Sequence, residues 1–253
     1  MTSLPSRRTP VLDARLSAAM DLAGRCHTFA DIGADHGRLS AVMLLSGQAE
    51  HGVVADISEK ALEKARQRIH GLGLDNRVTF AVADGLTALK SYPGPVDAVF
   101  ILGMGGDTIS GILHRESALL QGAALIISPQ TEASLARQAL CDSGYRIRQE
   151  LIAHDHHRDY LLLRSTPALP DEPVYTQEQL WLGPVLMQTL PPNWLPVLER
   201  RKRLLSKGVE AMRLSAREKD RERLQEASWE LACVNHMLSR MDCHAQAERR
   251  ESL

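Results

Sequence analysis

Three aspartates lie at the ends of three successive short apolar segments, a placement that suits ligand binding. Asp31 lies in the first segment, residues 28–32, and Asp56 and Asp84 follow the second and third. If these segments are parallel strands of one sheet, their ends share the edge at which such sheets bind ligands. Carboxylates there accept hydrogen bonds and attract positive charge. The spacing therefore predicts one ligand that carries hydroxyl, amino or cationic groups.

The loop after the first segment has the composition of a ligand-binding turn, Asp-Ile-Gly-Ala-Asp-His-Gly-Arg over residues 31–38. Gly33 would allow a tight backbone turn, and the helix that follows would offer free N–H groups. Asp56 comes 23 positions after Gly33, where a carboxylate can accept hydrogen bonds from both hydroxyls of a ribose. We therefore expect Asp56 and the adjacent Ile57 to contact a nucleoside.

The third segment ends in Asp84-Gly85, which we expect to contact an adenine ring through the Asp84 carboxylate and the next backbone N–H. Each acid taken alone could instead be a turn residue, since Asp31 could cap the turn that follows and Asp-Gly is a common turn dipeptide. Their occurrence at three successive segment ends favours binding, with the three ends suited to methionine, ribose and adenine.

The residue at position 35 helps to decide between two candidate cofactors, a nicotinamide dinucleotide and S-adenosylmethionine. A pyrophosphate-binding loop requires G-x-G-x-x-G, and Asp35 stands where the second glycine would be. A carboxylate repels a pyrophosphate but tolerates the sulfonium and ammonium groups of S-adenosylmethionine. The loop therefore favours S-adenosylmethionine as the cofactor over a nicotinamide dinucleotide.

The elements that would position these residues alternate regularly between apolar runs and helical patterns. This alternation predicts an α/β fold with an open, mostly parallel doubly wound sheet of the Rossmann type. The last two strands have no helix between them, which indicates an antiparallel edge hairpin. The predicted strands are residues 28–32, 52–55, 78–83, 98–102, 125–128, 145–151 and 160–164, and the predicted helices are residues 12–23, 38–45, 58–69 (with Ser58 as N-cap) and 131–141.

The pattern changes after Arg164. Three prolines within residues 165–175 indicate a connecting segment. Apolar residues then recur at three- and four-residue spacing from Trp194 onward, on both sides of a charged stretch at 217–222. This predicts a coiled-coil helical hairpin. We expect a methyltransferase-type domain at 1–165, then a linker and a small helical domain at 166–253.

The overall amino-acid composition limits the classes of protein to which this chain can belong. With 44% hydrophobic and 24% charged residues the chain has an ordinary globular composition, and its apolar runs are too short to cross a bilayer. The four cysteines form no C-x-x-C pair, so neither a zinc site nor a disulfide framework is expected, and a cytoplasmic location fits. The segment 154–157 (His-Asp-His-His) is interpreted as a solvated turn, because adjacent side chains diverge. No metal and no membrane partner are expected, and the oligomeric state is left open.

The sequence also resembles a particular family, the TrmK-type tRNA (adenine-22-N1)-methyltransferases, from about residue 11 to 212. The motifs that carry the resemblance are D-I-G-A-D-H-G-R-L at 31–39, A-D-G-L at 83–86 and L-G-M-G-G-D at 102–107. Further matches are Arg15-Leu16, Arg137 and L-G-P-V-L at 182–186. One departure is Ser128-Pro129-Gln130, where the family often has Q-P-N. The resemblance implies a Rossmann domain followed by a coiled coil.

The resemblance also implies roles for individual residues. Cofactor contacts would fall to Asp31, Gly33, Asp56, Asp84 and Gly85, and we add Asp35, Ile57 and Gly103 to this set. The candidate catalytic groups would be Asp35 with His36, together with the loop Gly103, Met104, Gly105 and Gly106. The alternative for this loop is a tight turn that merely leads into the next helix.

The implied reaction requires little proton transfer before the methyl group moves. N1 of adenine has an in-plane lone pair and can attack a sulfonium methyl directly, which leaves the base positively charged. Catalysis would then come from alignment and from negative charge near the base, a role available to Asp35, which His36 would orient. Met104 would pack on the face of an adenine that has been flipped out of its pair.

A basic segment supplies a candidate RNA-binding surface. Residues 199–223 contain ten Lys or Arg and five acids, and we expect Arg200, Arg201, Lys202, Arg203 and Lys207 to contact tRNA phosphates. The alternative is a solvated coiled-coil surface with ion pairs. Two other functions stay open: a methyltransferase that acts on another RNA, a protein or a small molecule, and a catalytically silent RNA-binding module on the same fold.

Overall fold

The computed structural model describes residues 10–34, 36–156, 158–215 and 221–251. The chain divides into two units, Met1–Tyr175 and Thr176–Leu253. The predicted Rossmann-like sheet forms the centre of the first unit, and the predicted helical region is present in the second.

The first unit contains a seven-stranded sheet with the order β3-β2-β1-β4-β5-β7-β6. Strands β1 to β5 are parallel, whereas β7 runs antiparallel to both of its neighbours. The order reverses between β1 and β4, the position at which doubly wound sheets open a crevice for ligands. The strands are β1 Thr28–Ile32, β2 His51–Asp56, β3 Val78–Val82, β4 Ala98–Leu102, β5 Ala124–Ser128, β6 Tyr145–Asp155 and β7 Arg158–Pro167.

Helices cover the sheet, and side-chain caps define where two of them begin. Asp13 accepts a hydrogen bond from the backbone N–H of Leu16 at 2.9 Å and starts α1, while the predicted N-cap Ser58 accepts from Ala61 at 3.3 Å and starts α3. Such caps satisfy the free N–H groups of a first turn. The helices of this unit are α1 Ala14–Ala23, α2 Arg38–Leu45, α3 Glu59–Leu72, α4 Gly106–Glu116 and α5 Ala133–Asp142.

The core lies along the central strands. Every residue of β1 is buried, and β4 and β5 are buried over four of their five positions, as expected of parallel strands covered on both faces. Phe29 on β1 meets Phe100 on β4 edge to face, with 6.1 Å between ring centroids. Asp31 is therefore carried on a rigid strand between two neighbours, which fixes where its carboxylate can lie.

The predicted antiparallel edge hairpin is present, and its two strands are longer than the pattern predicted. β7, not β6, pairs with β5, so β6 is the outer strand. β7 continues to Pro167, which places residues 165–167 in the sheet although the prolines indicated a connection. His154 and Asp155 belong to β6, and His154 Nδ1 lies 2.7 Å from Asp159 Oδ1. His157 is outside the described residues.

The second unit contains helices α6 Gln177–Leu182, α7 Pro184–Thr189, α8 Leu195–Ser215 and α9 Arg221–Glu251. α8 and α9 pack against each other, with Leu198, Val209, Val234, Met237 and Met241 buried. Residues 216–220, which overlap the predicted break at 217–222, are outside the described part of the chain. No helix within the described residues is both long and apolar enough to span a membrane.

Candidate functional site

A cavity of about 590 Å³ opens at the carboxyl edge of the sheet, across the reversal point between β1 and β4. The ends of the first three strands and the loop after β4 all contribute to it. All three predicted aspartates line this one cavity. Its lining residues are Asp13, Arg15, Leu16, Asp31, Ile32, Gly33, Ala34, His36, Arg38, Leu39, Asp56, Ile57, Ala83, Asp84, Gly85, Leu102, Gly103, Met104, Thr108, Ile112 and Gln130.

Asp31 is the most buried of the three acids, at 5% exposure. Its Oδ2 accepts a hydrogen bond of 2.6 Å from the hydroxyl of Ser40, on α2. Burial raises the pKa of Asp31 to about 6; the bond from Ser40 and the positive charge of Arg15 lower this pKa, and the negative charge of Asp56 raises it. The site therefore contains a carboxylate that positive charge on a ligand would stabilise in its ionised form.

Asp56 ends β2, and the start of α3 holds its carboxylate in position. Asp56 Oδ1 accepts a hydrogen bond of 2.8 Å from the backbone N–H of Ser58. Ile57, between these two residues, has 72% of its surface exposed and also lines the cavity. A large apolar side chain exposed beside a carboxylate suits a ligand with both hydroxyls and a flat apolar ring.

Asp84 follows β3 and is exposed, with Oδ2 3.4 Å from Nη2 of Arg115 on α4. Gly85 comes next, with φ +57°. A Cβ on Gly85 would lie 2.9 Å from Glu116 Oε2 and 3.1 Å from Ile112 Cγ2. A side chain at this position would therefore collide with α4, and the glycine lets the chain turn along the floor of the cavity.

The turn at Gly33 follows β1 at the carboxyl edge of the sheet, where the cavity lies. Gly33 has φ +72°, and its N–H donates to the carbonyl of Ala55 at 2.8 Å. A Cβ at Gly33 would overlap the terminal methyl of Met104. The loops after β1 and β4 thus approach each other across the cavity, and the end of the Met104 side chain occupies the space next to Gly33.

His36 lines the cavity and is tied to α3. Its Nε2 lies 3.1 Å from Nζ of Lys64, and its carbonyl accepts a 2.8 Å hydrogen bond from Nε of Arg68. Asp35, for which both a cofactor and a catalytic role were predicted, is outside the described residues. Its role, and the orientation of Asp35 by His36, therefore stay predictions.

The four residues 103–106 after β4 form two pairs with different surroundings. Gly103, at φ +79°, and Met104 line the cavity. Gly105 precedes α4 as its N-cap and Gly106 is the buried first residue of that helix; neither is a lining residue. A Cβ on Gly106 would lie 2.7 Å from the carbonyl oxygen of Thr131. The first two residues can therefore contact a ligand, while the last two pack against the loop after β5.

Several cavity residues were not singled out as site residues from the sequence. Arg15 and Asp13 come from the start of α1, and Arg38 from the first turn of α2. Nη1 of Arg38 lies 3.6 Å from Asp13 Oδ2. Arg15 lies within an amphipathic helix pattern that indicates packing rather than chemistry. Only its match to the family motif pointed toward the site.

The candidate RNA-binding residues lie on α8 in the second unit, and all five are exposed. The guanidinium of Arg201 stacks 4.3 Å from the ring centre of Trp181 and lies 3.8 Å from Glu230. Arg200, Lys202, Arg203 and Lys207 extend the positive charge along the same helix. Within the described residues, no group of three or more His, Cys, Asp or Glu could hold a metal ion.

Comparisons with known proteins agree with this geometry. A family model described as "Methyltransferase domain" matches residues 12–163. A tRNA (adenine(22)-N(1))-methyltransferase of Bacillus subtilis is 29% identical over 153 residues, which are 60% of this chain and 63% of the relative, so the match spans less than two thirds of that protein.

Solved structures match over more of the chain. The crystal structure of the B. subtilis M1A22 tRNA methyltransferase TrmK has a TM-score of 0.83 at 23% identity, over 90% of this chain and 99% of that one. A Streptococcus pneumoniae putative tRNA (m1A22) methyltransferase in complex with S-adenosyl-L-methionine has a TM-score of 0.75 at 21% identity, over 90% and 100% of the two chains. At these identities, the structures establish the shared fold.

Proposed function

The chain belongs to the methyltransferase-domain family, and from that premise we propose that it transfers a methyl group from S-adenosylmethionine to N1 of adenine 22 in tRNA. The observation that carries the proposal is the convergence of Asp31, Asp56 and Asp84 on one cavity, together with the glycine-containing loop after β4. The choice of substrate is supported by the similar proteins named above, which are tRNA methyltransferases that act on this adenine.

The residues present fit the proposed donor. Asp31, buried and with a raised pKa, would face the cationic methionine portion, and Asp56 would accept hydrogen bonds from the ribose. Asp84 and Gly85 would contact the adenine, with Ile57 against the ring. When bound, S-adenosylmethionine supplies an electrophilic methyl group. The chain contributes a carboxylate-lined cavity that favours a cation over a pyrophosphate.

The loop after β4 would position the methyl acceptor. Gly103 and Met104 line the cavity next to Gly33, so a flat base could approach closely there and pack on the thioether. The acceptor nitrogen needs no prior deprotonation, and alignment would supply most of the rate enhancement. Asp35 is proposed to carry the negative charge that stabilises the methylated base, with His36 as its orienting neighbour.

The second unit is proposed to bind tRNA through α8. Arg200, Lys202, Arg203 and Lys207 are exposed on this helix, and a row of cations binds phosphates without reading sequence. We place the reaction in the cytoplasm, supported by four free cysteines that a reducing compartment would preserve. The proposed domains remain a methyltransferase domain at 1–165, followed by a linker and a helical hairpin at 166–253.

Methyl incorporation from labelled S-adenosylmethionine tests the proposal. Unmodified tRNA transcripts with adenine at position 22 should accept label, whereas the same transcripts with guanine at that position, ribosomal RNA and bulk protein should not. Label in protein or ribosomal RNA but not in tRNA would contradict the proposed substrate. Absence of donor binding by calorimetry would contradict the methyltransferase activity itself.

A further inference from the structure

The half of the cavity that lies across the reversal point from the three aspartates has a different chemistry. Its walls come from the start of α1 and the ends of β4 and β5. The polar side chains there include the guanidinium of Arg15, the amide of Gln130 and the hydroxyl of Thr108, which lies on α4. The ends of these two strands contribute no acid within the described residues, and Asp13, the acid that lines the cavity from the start of α1, lies 3.6 Å from Nη1 of Arg38. The cavity therefore has a carboxylate-rich side and a side on which Arg15 is not paired with Asp13.

Arg15 is held in place on this second side of the cavity. Its Nη1 lies 2.7 Å from where a Cβ on Gly103 would be, and Nε2 of Gln130 lies 3.5 Å from the same point. The guanidinium also lies over the ring of Tyr160 on β7, with 5.5 Å from Cζ to the ring centre. A guanidinium that rests on an aromatic face is preorganised and loses less freedom when it binds a ligand. Gly103 is the residue that leaves room for it.

The charge of Arg15 is directed at the cavity. Across the described ranges of the chain, no carboxylate lies within ion-pair distance of its guanidinium, although its positive charge reaches Asp31 and lowers the pKa of that carboxyl group. Arginine presents a fork of donors that matches a phosphate or carboxylate. The ligand group that complements Arg15 is therefore an oxyanion.

We infer that Arg15 binds a phosphate of the methyl-accepting nucleotide, an inference that rests on the proposed function. The acceptor nitrogen gains positive charge as it is methylated, so a cation next to that atom would raise the barrier. A phosphate adjoining the flipped base keeps its negative charge throughout, and a guanidinium there binds the nucleotide without opposing the reaction. Gly103 and Gln130, which line the cavity, then lie beside the acceptor nucleotide, Tyr160 supports the guanidinium, and Arg15 is a substrate-binding residue.

The carboxylate of the donor's methionine portion is the other oxyanion that Arg15 could bind, and affinity measurements separate the two. In R15A, the dissociation constant for S-adenosylmethionine should stay within about twofold, while kcat/KM for tRNA should fall about 10- to 100-fold, as expected for one lost charge-assisted contact. The slope of log affinity for tRNA against log salt should shrink by about one. R15K, which keeps the charge but not the fork, should recover part of the loss.

R25A is the matched control, since Arg25 is exposed and its Nη2 contacts only the carbonyl of Gly47 among the described residues. It should leave donor affinity, kcat/KM and the salt slope unchanged. Melting temperatures of all three variants report on folding.

Two results would overturn the assignment. Donor affinity that falls in R15A as far as kcat/KM would move Arg15 to the donor carboxylate. Full activity and an unchanged salt slope in a folded R15A protein would remove Arg15 from binding altogether. A wild-type protein that methylates no tRNA is a different outcome, because it would contradict the proposed function before Arg15 is tested.

Discussion

At the residue scale, burial determines how Asp31 behaves. The carboxylate lies under the cavity at 5% exposure, and its pKa is raised to about 6. An acid whose pKa is raised on folding stabilises the fold at low pH, and this contribution is lost as the pH rises from about 4 to about 6. Above about pH 6, Asp31 is ionised and suited to a cationic donor, but it then no longer contributes to the stability of the fold.

Donor affinity should depend on pH through this residue. Near pH 5 only about one tenth of Asp31 is ionised, so the affinity for S-adenosylmethionine should be roughly tenfold weaker than near pH 7. Calorimetric titration at several pH values measures this, with melting temperatures as the check on folding. In D31N the affinity should be low and flat over the same range; an identical pH dependence in D31N would assign the titration to another group.

Two glycines of α4, Gly106 and Gly111, differ in how much space surrounds an added side chain. A Cβ on Gly106 would run into the backbone of Glu132 and lie 2.7 Å from the Thr131 carbonyl oxygen, whereas one on Gly111 meets only the flexible end of Arg115 at 3.4 Å. G106A should lower the free energy of unfolding by about 1–3 kcal/mol, as overpacking does. G111A should leave it unchanged or raise it by up to about 1 kcal/mol. Denaturant unfolding distinguishes them, and equal stability of the two variants would contradict the packing described here.

At the scale of elements, a buried ion pair joins α5 to β6. Arg137 Nε lies 2.8 Å from Glu150 Oε1, and both side chains have 2% or less of their surface exposed. Both groups are buried away from water, so this contact helps to fix how the edge hairpin lies against the helix.

Removal of either partner should therefore be costly. R137M or E150L alone should lower the free energy of unfolding by about 3–5 kcal/mol, because each removes the opposite charge that lies 2.8 Å from a buried ionised group. The double variant R137M/E150L should lose less than the sum of the two. Chemical denaturation of the four proteins gives the coupling, and strict additivity would show that the pair does not act as a unit.

The elements of the first unit were largely predictable from sequence. Strands such as β1 and β4 are short, mostly apolar and followed by glycine-containing turns, and both agree with the predicted bounds. The insertion of β7 between β5 and β6 was not predicted, because an apolar period specifies which face is buried but not which neighbour pairs. Helices α6 and α7 were missed since each has only six residues, too few for a helical period to emerge.

Residue spacing predicted the acidic side of the candidate site, and the family resemblance predicted Gly103 and Met104, which also line the cavity. Three strand ends with aspartates form a pattern along the chain, and the fold brings them to one cavity. Arg15 precedes the first strand inside a helix, so its placement beside Gly103 depends on how α1 packs on the sheet. Sequence spacing contains no information on that contact.

At the scale of the whole molecule, tRNA binding is proposed to involve the second unit. K202E/R203E/K207E reverses three exposed charges on α8, and it should raise the KM for tRNA by about tenfold or more at moderate salt while donor affinity stays unchanged. E199K/E210K adds charge to the same helix at two exposed positions and should act in the opposite direction. Steady-state kinetics at two salt concentrations measures both; equal KM values in all three proteins would place the RNA contact elsewhere.

The central claim is that this cavity directs a methyl group to a ring nitrogen of adenine in tRNA. Mass spectrometry of nucleosides from unmodified tRNA, incubated with the protein and S-adenosylmethionine, tests it most directly. We expect 1-methyladenosine to accumulate with wild-type protein and to be absent with D31N. Methylation of the exocyclic amino group instead, or of no adenosine while the donor binds normally, would contradict the account.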